Sequence, residues 1–351
     1  METHLFLIGD AGAPAAAGEP VLKALGEDLS VDPSRSLVVF LGDNAYPTGI
    51  PDSTDSGYAE ALRRLDAQID VVVQHKVRGY FLPGNHDWDR SGANGYARIL
   101  RQGERVSRRG AGLVRMRPLP GCPGPVVADE GEWLRLVMLD TQWWLQSQAR
   151  EASVKAGCVT STEQGTIDSL RSAITGAGLR RVVVLGHHPL RSGGEHGGFF
   201  DWKDHLFPLR NVASWLWLPL PVIGSAYPLS RNLGISSQDM SGKAYKRMKQ
   251  SFAEAFDVAP PLVYAAGHDH GLQVIEGGPA GFQLVSGAGI YSHEGPLTGI
   301  QGTQLALQAA GYMRVDVLRD GRVRLGVITV DQDGTHREIQ SRWLTTSASE
   351  P

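Results

Sequence analysis

The sequence predicts an α/β fold, because short apolar runs alternate with amphipathic segments through most of its length. Six of these runs, rich in Val, Leu and Ile, are each followed by a polar residue, as is typical of buried strands that end at a functional edge. After His270 the pattern changes to apolar runs separated by Gly-rich turns. This last third predicts an antiparallel β layer.

The spacing of apolar residues predicts each element in turn. Strands are predicted at residues 5–8, 37–41, 80–82, 134–139, 181–185 and 262–266. Apolar residues three and four positions apart predict helices at residues 19–29, 58–72 and 162–174. The antiparallel layer is predicted at residues 272–275, 282–285, 312–318 and 322–330. Asp320 and Gly321 separate the last two runs, and this pair is typical of a hairpin turn.

Composition and charge exclude several classes of protein. Of the 351 residues, 42% are hydrophobic, which is enough for a sizeable core and excludes a disordered chain. With 34 basic and 37 acidic residues the net charge is −3, so we expect no nucleic-acid scaffold role based on bulk charge. The start of the chain lacks the basic and apolar regions of a signal peptide, and no apolar stretch reaches ~18 residues. The compartment stays open, and would be periplasmic or extracellular if a leader had been removed.

The two cysteines limit the kinds of site and scaffold. They exclude a disulfide-rich scaffold and a zinc site of four thiolates. Cys122 and Cys158 flank one predicted strand, so a disulfide and two free thiols both remain open.

Two further segments have an unusual composition. From Arg98 to Arg117 there are seven arginines and one glutamate, which indicates either a solvated face or a rim that attracts anions. Residues 199–242 contain a wholly apolar stretch from Trp215 to Ile223 with two prolines. That stretch is too short and too rich in proline for a membrane span. It predicts an inward-packed lid or, alternatively, an interfacial wedge that contacts lipid or a partner.

The predicted strand ends collect side chains that bind metals. Carboxylate, amide and imidazole groups all ligate divalent or trivalent ions. One such group at a strand end usually has a structural role, but six at successive ends predict a metal site where those ends converge. Asp43 is the natural carboxylate to bridge two ions, because the other groups divide on either side of it. The six residues are Asp10, Asp43, Asn85, His187, His268 and His270.

Five motifs follow one another along the chain: Gly9-Asp10-Ala11-Gly12, Gly42-Asp43-Asn44-Ala45-Tyr46, Gly84-Asn85-His86-Asp87, Val184-Leu185-Gly186-His187 and Gly267-His268-Asp269-His270. Their set and order resemble the signature of the purple acid phosphatases, the binuclear-metal branch of the calcineurin-like metallophosphoesterases. Gly12 and Tyr46 are typical of this branch. The small, tartrate-resistant acid phosphatase type is resembled in three further segments, residues 137–141, 195–197 and 285–289. The resemblance therefore covers most of residues 4–340.

The resemblance implies a fold and a domain organisation. The fold would be an α/β/β/α sandwich, in which two packed mixed sheets are flanked by helices. Residues 1–344 would form a single catalytic domain with the apolar insertion at about residues 199–242, followed by a polar tail at residues 345–351. The insertion is the departure from the small type, and it leaves substrate specificity open.

The resemblance also implies two metal ions. Asp10, Tyr46 and His270 would bind Fe(III), since phenolate and carboxylate are hard anionic donors. Asn85, His187 and His268 would bind a divalent Fe, Zn or Mn ion. Asp43 would bridge the two ions.

The implied activity is hydrolysis of a small phosphate monoester by attack of a metal-bound hydroxide. His86 and His196 are the candidates that would protonate the leaving alcohol. His188, Asp87 and Asp269 are expected beside the ligands rather than on a metal. Two alternatives stay open: a phosphodiesterase or lipid-phosphate phosphatase on the same fold, and a non-catalytic scaffold, which should have lost metal ligands.

Overall fold

A computed structural model describes residues 2–199, residue 206 and residues 236–345. The stretch from Trp215 to Ile223 and the polar tail after residue 345 lie outside the described residues, so the expectations for them stay predictions.

The described residues form fourteen strands, seven α-helices and three short 3-10 turns. The strands are β1 (Thr3–Ile8), β2 (Ser36–Phe40), β3 (Arg78–Phe81), β4 (Val114–Met116), β5 (Val126–Glu130), β6 (Leu134–Met138), β7 (Arg181–Leu185), β8 (Val263–Ala266), β9 (Leu272–Glu276), β10 (Phe282–Ser286), β11 (Thr303–Leu307), β12 (Gly311–Val317), β13 (Val323–Val330) and β14 (His336–Thr345). The helices are α1 (Pro20–Val31), α2 (Tyr58–Gln74), α3 (Gly95–Arg109), α4 (Gln142–Leu145), α5 (Ser147–Lys155), α6 (Glu163–Thr175) and α7 (Lys243–Phe256). The 3-10 turns are Pro33–Arg35, Asp89–Ser91 and Glu195–Gly197.

Within the described residues these strands make two mixed sheets of seven strands each. The first has the order β14-β13-β12-β1-β2-β3-β4, and the second has the order β11-β9-β10-β8-β7-β6-β5. In the first sheet β1 to β4 are parallel, and β12 pairs antiparallel with β1. In the second sheet β6, β7, β8 and β10 are parallel. The carboxyl ends of the two parallel sets therefore form the edges that can carry a shared site.

The apolar residues of the strands divide between two cores. One core lies between the sheets and includes Leu5 and Leu37 of the first sheet and Leu136 and Val183 of the second, all essentially inaccessible to solvent. Alternate strand residues such as Phe40 belong to the other core, in which the helices cover the outer faces. This arrangement is the α/β/β/α sandwich that the sequence resemblance implies.

The ten strands and three helices predicted from apolar spacing are all present, with ends displaced by one or two residues. Asp320 and Gly321 form the turn between β12 and β13, in which the Gly321 amide donates to the Leu318 carbonyl. The predicted antiparallel layer differs from the structure, because its strands divide between the sheets. β9 to β11 extend the second sheet and β12 to β14 extend the first, which widens both faces of the inter-sheet core.

The arginine-rich segment is largely the helix α3, which packs beside α2. Arg105 forms an ion pair with Asp66, and Arg109 forms one with Asp70, with nitrogen–oxygen distances of 2.5–2.6 Å. Because these arginines are paired with carboxylates of α2, the contacts favour a solvated face over an anion-attracting rim.

The two cysteines are joined in the structure. Cys122 and Cys158 form a disulfide with their Cα atoms 5.5 Å apart, which decides between the two open alternatives. The bridge ties the segment before β5 to the segment between α5 and α6.

Candidate metal centre

All seven predicted ligands lie where the carboxyl ends of the two parallel strand sets meet. Asp10 follows β1, and Asp43 and Tyr46 lie in the loop after β2. Asn85 follows β3 in the same sheet. The second sheet supplies His187 after β7, and His268 and His270 after β8. The strand-end pattern thus gathers side chains from both sheets at one edge.

Two glycines allow the loops to approach this closely. A Cβ on Gly9 would lie 3.0 Å from both the Gly267 Cα and the Ser286 carbonyl oxygen, so a side chain here would push the sheets apart. A Cβ on Gly12 would overlap the backbone of the loop after β2. There is consequently no room for a ligand side chain at position 12, where the Tyr46 amide donates to the Gly12 carbonyl at 3.0 Å.

The first group of candidate ligands surrounds the Tyr46 hydroxyl. This oxygen lies 3.1 Å from Asp10 Oδ1, 3.2 Å from His270 Nε2 and 3.3 Å from Asp43 Oδ2. Asp10 Oδ1 and His270 Nε2 are 3.5 Å apart. Separations of about 3 Å are those of donor atoms that share one ion, since metal–donor bonds are about 2 Å long.

The second group surrounds the Asn85 side-chain carbonyl. Its oxygen lies 2.9 Å from His187 Nε2 and 3.1 Å from His268 Nδ1, and the two ring nitrogens are 3.3 Å apart. Asp43 Oδ2 lies 3.4 Å from His187 Nε2, and so faces both groups. These donor atoms therefore form two clusters, and the Asp43 carboxylate lies between them.

Burial and charge strongly perturb the protonation of these groups. Burial would raise the pKa of Asp43, but His187 and His86 hold it well below its usual range. Burial disfavours a charged His187, yet the Asp43 and Asp10 carboxylates raise its pKa to about 9. Burial, followed by the charges of Asp10 and Asp43, raises the pKa of Tyr46 well above 10. A phenolate at Tyr46 therefore requires additional positive charge in the site.

Asp87 connects the two loops after β2 and β3, which carry candidate ligands. Its fully buried carboxylate accepts hydrogen bonds from the backbone amides of Asn44 (2.9 Å), Ala45 (3.1 Å) and Gly84 (2.8 Å). Burial and the nearby Asp43 charge raise the pKa of Asp87 to about 7. The carboxylate holds the loops that carry Asp43 and Asn85 in a fixed relation.

His188 and Asp269 also lie beside the candidate ligands. Both nitrogens of His188 are engaged, Nδ1 by the Thr141 hydroxyl at 2.7 Å and Nε2 by Gln238 Oε1 at 2.9 Å. Asp269 Oδ1 accepts from the His196 amide at 3.1 Å. These contacts are those of residues that position their neighbours.

His86 and His196 border one cavity of about 470 Å³, which the candidate ligands Asp43 and Asn85 also line. His86 Nδ1 lies 2.6 Å from the Pro47 carbonyl oxygen, so this nitrogen carries the proton and donates. Its Nε2 is 3.8 Å from Asp43 Oδ2. Burial lowers the pKa of His86, and the Asp43 charge offsets this only in part.

His196 is held differently at the same cavity. Its Nδ1 lies 3.1 Å from Asp239 Oδ1, and its ring centroid lies 3.7 Å from that of His268. It lies in the 3-10 turn Glu195–Gly197 of the loop after β7, and its ring contact places this turn beside His268 of the second ligand group.

Three further residues border the site although the sequence analysis did not single them out. The Gln238 carbonyl oxygen lies 3.1 Å from His268 Nε2, and the His293 ring centroid lies 4.2 Å from that of His270. Arg90 lines the cavity beside His86. His293 lies within the loop between β10 and β11 and not at a strand end, so the strand-end pattern could not find it. Gln238 lies in a loop and Arg90 lies in the 3-10 turn Asp89–Ser91, and neither segment has a recognisable sequence pattern.

None of the helices in the described parts of the chain combines the length and the apolar composition needed to cross a membrane.

The comparisons with known proteins agree with the sequence resemblance. The profile of the calcineurin-like phosphoesterase family matches residues 3–272. Purple acid phosphatase 17 of Arabidopsis thaliana is 22% identical over 214 residues, covering 58% of this chain and 57% of that protein. The chain thus spans little more than half of the length of this curated relative.

Solved structures show the same fold at low sequence identity. The purple acid phosphatase PPD1 of yellow lupin, Lupinus luteus, has a TM-score of 0.52 at 14% identity, covering 99% of this chain and 56% of that one. GAP50, described as the anchor in the inner membrane complex of Plasmodium, has a TM-score of 0.55 at 15% identity, covering 98% and 90%. PhoD has a TM-score of 0.55 at 12% identity, covering 98% and 72%. With a family profile that matches most of its length, the chain belongs to the calcineurin-like phosphoesterase family.

Proposed function

We propose that the chain hydrolyses phosphate monoesters with a binuclear metal centre of the purple acid type. The observation that carries this proposal is the position of the Asp43 carboxylate, 3.3 Å from the Tyr46 hydroxyl and 3.4 Å from His187 Nε2. One carboxylate that faces two separate donor clusters suits a bridge between two ions. The purple acid phosphatase among the relatives supports the same branch.

The donor sets favour two different metals. The family implies divalent metal ions, and the site offers buried carboxylate and imidazole ligands for them. Asp10, Tyr46 and His270 would hold Fe(III), because two anionic oxygen donors suit a hard trivalent ion. Asn85, His187 and His268 would hold a divalent Fe, Zn or Mn ion. Such ions, when bound, lower the pKa of water and neutralise charge on phosphoryl oxygens.

The histidines of the cavity would handle the proton on the leaving alcohol. His86 Nδ1 donates to Pro47, so Nε2 is the atom that would exchange a proton with substrate. His196 would orient the phosphate ester from the opposite side, since Asp239 fixes its ring over His268. A protonated His86 at acidic pH would make the alcohol a better leaving group.

Two other functions remain on the same fold. A phosphodiesterase or lipid-phosphate phosphatase would use the same centre, and the stretch from Trp215 to Ile223 would then provide the lipid or membrane contact. A non-catalytic scaffold is disfavoured by the ligand set, because all seven residues are retained and converge. The GAP50 likeness is one of fold alone, since only 15% of residues are identical.

The Cys122–Cys158 disulfide favours an oxidising compartment, either periplasmic or extracellular.

Metal analysis and visible spectroscopy test the centre directly. We expect two metals per chain, at least one of them iron, and a visible tyrosinate-to-iron band that Tyr46→Phe removes. Two metals without iron or colour would reduce the assignment to a general binuclear phosphoesterase. Absence of bound metal after reconstitution would support the scaffold instead.

Kinetics on three substrates test the reaction class. We expect hydrolysis of a soluble aryl monoester, with little activity on an aryl diester or a micellar phospholipid. Asp43→Asn, which keeps the side-chain shape and removes the bridging charge, is the matched inactive control. Preference for the diester or for the micellar lipid would overturn the monoesterase proposal in favour of that alternative.

A further inference from the structure

Arg90 lies at the edge of the catalytic cavity on an unusual backbone turn. Asp89, Arg90 and Ser91 have φ angles of 60°, 49° and 69°, so three successive residues other than glycine adopt the left-handed conformation. Each such residue costs free energy and persists only where its surroundings impose it. The turn directly follows the loop that carries Asn85 and His86.

The surrounding contacts hold this turn firmly. The Arg90 backbone amide donates to the Asn85 backbone carbonyl at 2.9 Å, which ties Arg90 to the residue whose side chain is a candidate metal ligand. Asp89 Oδ1 pairs with Arg98 Nε at 3.2 Å, and the Ser91 hydroxyl accepts from Gln142 Nε2 at 3.0 Å. The backbone of Arg90 is therefore fixed relative to the metal centre, although its side chain is exposed.

The guanidinium of Arg90 also differs from three arginines that follow it in the sequence, because it has no carboxylate partner among the described residues. Arg98, Arg105 and Arg109 all pair with carboxylates. Among the described residues no carboxylate pairs with Arg90. Of the described residues that line the cavity, Arg90 is the one with a permanent positive charge, and Asp43 is the one carboxylate. The cavity thus holds a second centre of positive charge beside the candidate metal site.

We propose that Arg90 determines substrate specificity by binding a second anionic group on the phosphate ester. A guanidinium binds phosphate or carboxylate oxygens through paired hydrogen bonds, and a fixed backbone reduces the entropy lost on binding. The preferred substrates are therefore phosphate esters whose organic part carries a further phosphate or carboxylate. This inference rests on the proposed function for the ester that is cleaved, but Arg90 binding itself can be measured without hydrolysis.

Calorimetric titration of the metal-loaded full chain with phosphonates, which are not hydrolysed, tests the inference. The probes are propylphosphonate, 3-phosphonopropionate and propane-1,3-diphosphonate, which carry one phosphonate, an added carboxylate and an added phosphonate. We expect one or both of the two-group probes to bind about tenfold more tightly than propylphosphonate. The difference between those two identifies whether a carboxylate or a phosphate is preferred.

Three variants assign the effect to Arg90. Arg90→Gln should reduce the preference to less than about twofold, whereas Arg90→Lys should retain part of it. Arg319→Gln removes an exposed arginine from the turn between β12 and β13, at the opposite edge of the first sheet, and should retain the full preference.

Several results would overturn the inference. These are equal binding of all three probes to the wild type, an unchanged preference in Arg90→Gln, and an equal loss for every probe in that variant. The last result would mean that Arg90 attracts anions in general. If the chain hydrolyses monoesters but binds the two-group probes no more tightly than propylphosphonate, the Arg90 inference alone is rejected. If the chain binds the two-group probes more tightly but hydrolyses no ester, the proposed function alone is rejected.

Discussion

Gly12 and Tyr46 show how a single residue type sets the chemistry at this site. A side chain at position 12 would overlap the loop after β2, so a ligand cannot come from there. The phenol hydroxyl of Tyr46, from that same loop, contacts Asp10, Asp43 and His270. Position 12 thus offers no ligand, whereas Tyr46 offers a phenol oxygen that, as a phenolate, would favour a harder metal ion.

His86 provides a prediction about turnover. His86→Ala should lower kcat about 100-fold while the metal content stays unchanged, because the role proposed for the imidazole is proton exchange with substrate and the ring does not lie among the converging donor atoms. Because burial lowers the pKa of His86, its protonated form is lost as pH rises through a value below 6.5. The alkaline limb of the wild-type kcat profile should therefore lie below that of an ordinary histidine and be absent in the variant. Steady-state kinetics between pH 4 and pH 8 and elemental analysis check this.

His75→Ala serves as the control for His86, because His75 ends α2 away from the cavity lining. It should leave the pH profile unchanged. Loss of metal from His86→Ala would contradict the proposed role and place His86 among the ligands.

At the residue scale, the sequence identifies the site residues whose positions are determined by strand ends. Asp10, Asp43 and His187 directly follow buried strands or their terminal glycine, and parallel strands bring such positions to one edge. Gln238 and His293 reach the site through loops whose paths depend on distant contacts. His293, for instance, is positioned by the Gly295 amide, which donates to the His270 carbonyl at 2.8 Å. No local pattern encodes contacts of this kind.

Asp87 provides a prediction for the loops after β2 and β3. Asp87→Ala removes the acceptor of three backbone amides and should weaken metal binding about 10- to 100-fold. Chelator competition measures the affinity, and circular dichroism measures the fold. Asp140→Ala is the matched control, since Asp140 is equally buried but accepts from Trp88 and Gln142. Equal losses of affinity in both variants would indicate general destabilisation and not loop positioning.

Asp316 provides a prediction for the strands of the first sheet. On β12 it lies opposite His4 of β1 and Arg324 of β13, and its buried carboxylate bonds to both at 2.7 and 3.1 Å. Burial would raise the pKa of Asp316, but His4 and Arg314 lower it. A lowered pKa in the folded state stabilises the protein above the unfolded value of about 3.9, and this contribution is lost as pH falls through the folded value.

Asp316→Asn should therefore lower the free energy of unfolding by about 2 kcal/mol at pH 7, and by less at about pH 3. Urea unfolding followed by circular dichroism measures both values. Asp257→Asn alters an exposed carboxylate and should change stability by less than about 0.5 kcal/mol. An equal effect of Asp316→Asn at both pH values would show that charge is not the cause.

At the element scale, the sequence predicts the strands and helices with clear periodicity but not their partners. The helix α3 escapes prediction because arginines dominate it and its buried side chains are few, including Ile99, Gln102 and Val106. The strand β14 is exposed or half-buried at every position except Leu344 and lacks an apolar alternation. The division of the last strands between two sheets depends on pairings such as Thr3 with Val317, which span nearly the whole chain.

At the scale of the whole molecule, the candidate metal centre joins the two sheets. Asp10, Asp43 and Asn85 come from the first sheet, and His187 and His268 come from the second. Away from this edge the contact between the sheets is largely apolar. A bound metal pair would therefore add a polar link between two layers that are otherwise held together by packing.

This link predicts that metal removal lowers the thermal stability of the protein. A ligand at 100 times its Kd stabilises the folded state by about 2.7 kcal/mol. With an unfolding entropy of about 2.1 cal/mol/K per residue, that free energy corresponds to a Tm shift of about 4 °C for this chain. Calorimetry of the metal-loaded and the chelated protein measures the shift. Asp43→Asn should melt at nearly the same temperature with and without metal, because it lacks the bridging charge. An equal metal-dependent shift in the wild type and in Asp43→Asn would mean that the ions bind elsewhere on the surface and do not link the sheets.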